Sequence, residues 1–126
     1  MLAELPPLIF GDGTQTRDYV FVGDVVAANL SAAGANGLEH SIFNIGTGQE
    51  VSVLELLRAV TAAAGVEPVE PQTLPARSSE VLRSCLDITS ARQELRLRTP
   101  TPLQEGLSAT LNRMRETTPL DLAGGN

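Results

Sequence analysis

Arg17 sits in Gly11-Asp12-Gly13-Thr14-Gln15-Thr16-Arg17-Asp18, just after a glycine turn and just before the apolar run Tyr19-Val20-Phe21-Val22. A guanidinium fixed at the start of a strand offers a rigid fork of donors that matches the oxygens of phosphate or carboxylate. Asn44, in Phe43-Asn44-Ile45-Gly46-Thr47-Gly48, can donate and accept through one amide. It reads equally as a cap on the following turn. Arg77 and Glu80 stand three residues apart in a polar stretch and read as a solvated pair worth under about 1 kcal/mol. Asp18 and Asp24 suit backbone capping better than proton transfer. His40, the sole histidine, has no acid or cysteine at triad or metal-ligand spacing and reads as a surface loop residue. Cys85, the sole cysteine, reads as a small buried side chain and cannot build a disulfide framework.

All nine basic residues are arginines. Without a lysine, these residues hold no Schiff base, no P-loop and no Tyr-Lys pair. Fifteen acidic residues give a net charge of -6, the wrong sign for a nonspecific nucleic-acid binder. The longest apolar run is too short to cross a bilayer, and Met1 to Pro7 lacks the basic region and apolar core of a secretory signal. The composition therefore predicts a cytoplasmic globular domain of 126 residues, long enough to bury most of its apolar surface.

The elements that must position these groups follow from local signals. Asp12-Gly13 tolerates positive φ, so Leu8-Ile9-Phe10 and Tyr19-Val20-Phe21-Val22 read as a hairpin with Arg17 on its second strand. Asp24 reads as the cap of a small-residue, buried helix over 25–33 with Gly34 as its left-handed stop. Ser41 to Ile45 reads as a strand ended by Gly46-Thr47-Gly48-Gln49. Ser52 and Glu55 form a capping box, and Val53, Leu56, Leu57, Val60 and Ala64 recur at helical spacing until Gly65. Residues 68–74 read as a proline-limited edge strand and 77–83 as loop or irregular strand, and Asp87 reads as the cap of a helix over 88–97. Thr101, Pro102 and Gln104 mark the start of a last helix, with Leu103, Leu107, Leu111 and Met114 as its stripe and Pro119 as its end. Residues 1–118 form the predicted domain and 119–126 a frayed tail.

This is an α/β pattern with about four helices and few short strands, too thin a sheet for an ordinary doubly wound domain. A partner segment upstream is the expectation, and without it an exposed apolar face should drive self-association.

Four blocks in order resemble the C-terminal, substrate-binding part of extended short-chain dehydrogenases. These are Pro7 to Val26, Phe43 to Gly48, Pro75 to Val81 with Ser84 and Asp87, and Thr101 to Leu107. The likeness is to the NAD-dependent epimerase/dehydratase family, nearest its bacterial UDP-glucose 4-epimerase members, with nucleotide-sugar dehydratases and decarboxylases behind. It implies a nucleotide sugar, a UDP-hexose, as ligand. Arg17 matches the residue on the substrate diphosphate, Phe10 and Leu8 the wall beside the nucleobase, and Asn44 a sugar-nucleotide contact. Arg77 and Glu80 match a loop that closes over the nucleotide, arginine on phosphate and carboxylate on ribose. By residue type alone, Phe10 reads first as plain core.

Two departures stand out: Ser79 replaces a usual glycine, and Leu95-Arg96-Leu97 replaces the usual Leu-Gly-Trp. The family's glycine-rich NAD turn and its Tyr-x-x-x-Lys pair find no match here, since Tyr19 is not followed by lysine. The resemblance thus implies NAD for an intact relative, a largely missing Rossmann core, and no cofactor or catalytic residue for this chain alone.

Overall fold

The structure, a computed structural model, describes residues 6–117. The expected tail at 119–126 and the helix stop at Pro119 lie outside the described residues. Its elements in order are β1 (Leu8–Phe10), β2 (Thr16–Arg17), α1 (Val22–Gly34), β3 (Val51–Ser52), α2 (Val53–Ala64), β4 (Gln72–Leu74), α3 (Thr89–Glu94) and α4 (Leu103–Thr117). The α/β class, the four helices and the short strands are as the sequence predicts.

The expected hairpin does not form. β1 runs parallel to β4, with Ile9 opposite Thr73, and β2 runs antiparallel to β3, with Thr16 opposite Ser52. Gly11 and Gly13 do turn the chain at φ 74° and 76°, but the turn delivers Thr16 to partners distant in sequence. The Thr16 amide donates to Leu82 O at 2.9 Å and its carbonyl accepts from the Ser84 amide at 3.2 Å. Leu8 to Phe10 pair instead with Gln72 to Leu74, Tyr19 to Phe21 form no ladder, and Val22 already begins α1.

α2 is built as its sequence dictates. Ser52 Oγ accepts from the Glu55 amide, Glu55 returns a carboxylate to the Ser52 amide at 2.8 Å, and Gly65 ends the helix at φ 68°. Its next amides are also engaged, Val53 on Gln15 O and Leu54 on Gly13 O. α4 packs along α2, and Arg115 donates to the Ala64 carbonyl at the end of α2. Leu103, Leu107 and Leu111 are half-buried in this contact, whereas Met114 is exposed.

One expected cap serves tertiary structure instead. α1 starts earlier than expected, at Val22, so Asp24 lies within its first turn and accepts from the Thr101 amide and hydroxyl, both at 2.8 Å. Thr101 thereby ties the segment that leads into α4 to the first turn of α1. Gly34 is the last residue of α1 and is not left-handed; the extended Ala35 follows it. α3 is shorter than predicted, with Asp87 accepting from the Thr89 amide at 2.9 Å.

The core is small. Ile9, Ala28, Ala91 and Leu95 are the buried apolar residues among those described, which corrects the expectation that most apolar surface is buried. α1 exposes Val22, Val26 and Leu30 at 67%, 52% and 70%, so it is not a buried packing helix. Ser41 to Ile45 is not a strand, because no neighbouring segment supplies a ladder, and Ile42 is 84% exposed. Cys85 is exposed, not buried. His40 is tied down: its Nδ1 contacts Glu94, whose carboxylate also accepts from the Glu39 and His40 amides. The acid stands 54 residues away, beyond the reach of a spacing rule.

Arg96 follows α3 at φ 50°, the only non-glycine residue with positive φ among those described. Its Cβ crowds the backbone there, so Arg96→Gly is expected to stabilise the fold by about 0.5–1 kcal/mol after the entropy lost by glycine is subtracted. Urea denaturation of both chains measures it; a loss of stability would show that the Arg96 side chain contributes more than its backbone strain costs.

Candidate functional site

Phe10, Arg17, Arg77 and Glu80 come together from three separate segments. β1 alternates its side chains, so Ile9 enters the core while Leu8 and Phe10 share the opposite face. Leu8 is 57% exposed at one end of that face. The Arg77 guanidinium lies over the Phe10 ring, 4.0 Å from its centroid. This cation–π contact occupies the ring face that a base would stack on, so Arg77 and Phe10 act as one surface.

Arg17 Nη1 donates to the Thr16 carbonyl at 2.6 Å, and Nη2 lies 3.9 Å from Glu80 Oε1. The side chain remains 32% exposed, so the fork is steered yet reachable. The ion pair is at the limit of contact and partly solvated, which makes it worth no more than about 1 kcal/mol. Charge-assisted bonds from Arg17 to a phosphate, about 1.5–3 kcal/mol, outweigh it. Arg77 and Glu80 do not form the solvated pair that their spacing allows; a backbone bond from the Glu80 amide to Arg77 O makes a turn, and the two side chains go to Phe10 and Arg17.

Gln15 was not singled out by type or spacing, yet it organises this surface. It is 7% exposed, and its Nε2 donates to Phe10 O at 2.9 Å and toward Glu80 Oε1 at 3.4 Å. Only its burial reveals it, since an isolated glutamine beside a turn carries no sequence signal. Arg83 fixes the loop from the other side through both oxygens of Glu50, at 2.6 and 2.8 Å, and Glu50 also accepts from Thr16 Oγ1 at 3.1 Å. The Arg83 hydrogen bonds hold the Glu50 carboxyl below its usual range against some desolvation.

Asp18, next to Arg17, is a backbone anchor as expected. It accepts from the Thr47 amide and hydroxyl at 2.8 and 2.6 Å and from the Gly48 amide at 2.8 Å. Burial pushes its pKa up, but bonds from Thr47, Gly48 and the Leu86 backbone outweigh burial and hold it below the ordinary value. Its carboxylate is saturated by structural donors, which leaves it unsuited to proton transfer.

Asn44 is not part of the arginine cluster. It lines a separate cleft between α1 and α3, and its Nδ2 donates to Asp87 O at 3.3 Å. Among the described residues no group of three or more His, Cys, Asp or Glu could hold a metal ion. No helix among them is long and apolar enough to cross a membrane.

Residues 1–46 match the model of the NAD dependent epimerase/dehydratase family. The chain is 44% identical over 115 residues to the UDP-glucose 4-epimerase of Mycolicibacterium smegmatis, an alignment that covers 91% of this chain and 36% of that protein. It superposes on the UDP-glucose 4-epimerase of Thermotoga maritima, solved with UDP-glucose, with a TM-score of 0.83 and 39% identity, covering 93% of this chain and 37% of that one. It also resembles the UDP-glucose 4-epimerase of Bifidobacterium longum, solved with NAD+ and UDP, with a TM-score of 0.80 and 27% identity over 92% of this chain and 37% of that one. The chain therefore spans little more than a third of the length of these relatives.

Proposed function

This chain belongs to the NAD-dependent epimerase/dehydratase family, and we propose that it is a nucleotide-sugar-binding portion that holds the UDP moiety of a UDP-hexose. One observation carries the proposal. Arg77 lies on Phe10, Arg17 reaches Glu80 with its fork still accessible, and Gln15 links the two pairs, an arrangement that suits a diphosphate beside a ribose and base. Arg17 takes the diphosphate, and Arg77 on Phe10 forms the wall beside the nucleoside. Glu80, released from Arg17, accepts from ribose hydroxyls, and Leu8 extends the apolar rim.

NAD does not fit the described residues. The glycine turn at 11–13 leads into β2 rather than into a helix, and the first amides of α2 are already bonded to Gly13 O, Gln15 O and Ser52 Oγ. We place cofactor and catalytic base outside this chain, which on its own binds without turning substrate over. We place the chain in the cytoplasm, as its composition predicts.

Isothermal titration tests it. UDP and UDP-glucose are expected to bind in the micromolar to millimolar range, with uridine much weaker because it lacks the diphosphate; equal binding of uridine and UDP would overturn the role of the arginines.

The exposed Val22, Val26 and Leu30 stripe and the ladder-free segment at Ile42 support a partner segment against α1, and the relatives are long enough to supply one, since this chain covers only 37% of the Thermotoga maritima protein. Without it the chain is expected to self-associate. Sedimentation velocity at increasing concentration should show a rising average mass, and a constant monomer mass would contradict the partner reading.

A further inference from the structure

The cleft between α1 and α3 contains chemistry that the UDP surface does not use. It has a volume of about 390 Å³, within the range of about 300–1,000 Å³ typical of small-molecule sites. Arg92, Arg96 and Arg98 line it, together with Ser31 and the amide of Asn44. Three of the nine arginines of a chain with net charge -6 thus line one cavity. The ion pairs among the described residues join Arg17 to Glu80, His40 to Glu94, Arg83 to Glu50 and Arg113 to Glu116, and none engages these three. The one carboxylate lining the cleft, Asp24, has both oxygens bonded to Thr101. Arg96 holds positive φ where glycine would be unstrained, and such strain gathers at binding sites.

We propose that this cleft is a second anion site, taking a small phosphate-bearing molecule on the guanidiniums of Arg92, Arg96 and Arg98. The Asn44 side chain, anchored on the Asp87 carbonyl through Nδ2, keeps its oxygen for a hydroxyl of the same molecule. The site is separate from the Arg17 surface. It also lies on a different side of α1 from the Val22, Val26 and Leu30 stripe, because Asp24 and Ser31 point elsewhere at about 100° per residue.

The test uses inorganic pyrophosphate, with sodium chloride at equal ionic strength as the control for screening. In a chain carrying Arg17→Ala and Arg77→Ala, pyrophosphate is expected still to bind, read by calorimetry. Adding Arg92→Ala and Arg98→Ala should weaken that binding at least tenfold. Should the multiple variant fail to fold, Arg96→Gly decides alone, since it removes a guanidinium while easing the backbone. It should weaken pyrophosphate binding about threefold or more while raising the melting temperature. Pyrophosphate binding abolished by Arg17→Ala and Arg77→Ala alone would overturn the second site. So would affinity unchanged by Arg96→Gly, or heats matched by chloride.

Discussion

Asp18→Ala is expected to lower the free energy of unfolding by about 2–3 kcal/mol, because three donors on Thr47 and Gly48 lose a charged acceptor at once. Half-exposure of the group keeps the figure below the sum of three such bonds. In a chain with so small a core this is a large share of marginal stability. Gly46→Ala should reach the same result from the other side, since a Cβ at Gly46 would stand 2.6 Å from Asp18 Oδ2 and drive the carboxylate away. Because both changes break one contact, the double variant should lose much less than the sum. Urea denaturation of the four chains gives the cycle, and additive losses would show that Asp18 and Gly46 act independently. The pH dependence has a definite sign. The folded pKa of Asp18 lies below its ordinary value, so its contribution is present above about pH 4, the unfolded pKa, and is lost as the pH falls through the folded one. Asp18→Ala should therefore flatten the acid limb of the stability profile.

Arg17→Ala is expected to weaken UDP binding about 30-fold, or about 2 kcal/mol, by removing a charge-assisted fork. It also removes most of the preference for UDP over uridine. Arg17 is oriented by its own neighbour, Thr16 O, and pairs with Glu80 only at 3.9 Å, so its loss disturbs little else. Stability should change by less than about 1 kcal/mol. Arg17→Lys should recover part of the affinity as a point charge without the planar fork. Titrations of the three chains with UDP and uridine check this; a uniform loss for both ligands would assign Arg17 to general packing.

Local signals were readable in the sequence, and non-local ones were not. The Ser52 and Glu55 capping box, the Gly65 stop and the α2 periodicity are each contained within one turn or one helix, so residue types alone determine them. β1 instead pairs with a strand 64 residues away, as Leu8 with Gln72, and no local pattern distinguishes that partner from Tyr19 to Phe21. The cap expected of Asp24 failed for the same reason: its carboxylate is engaged by Thr101, 77 residues away. At the site, the resemblance singled out residues that do meet, namely Phe10, Arg17, Arg77 and Glu80. It missed Gln15, whose importance lies in burial; Asn44, which it gave as a sugar-nucleotide contact, lines a separate cleft between α1 and α3. The stacking of Arg77 on Phe10 could not be read either, because a loop residue and a strand residue 67 positions apart carry no shared pattern.

The most direct measurement is a nitrogen-proton correlation spectrum of the chain, including arginine side-chain signals, recorded during titration with UDP. Saturable shifts concentrated at Phe10, Gln15, Arg17, Arg77 and Glu80 are predicted. Absence of saturable shifts at these residues, or shifts confined to other parts of the chain, would contradict the assignment of this surface to the nucleotide.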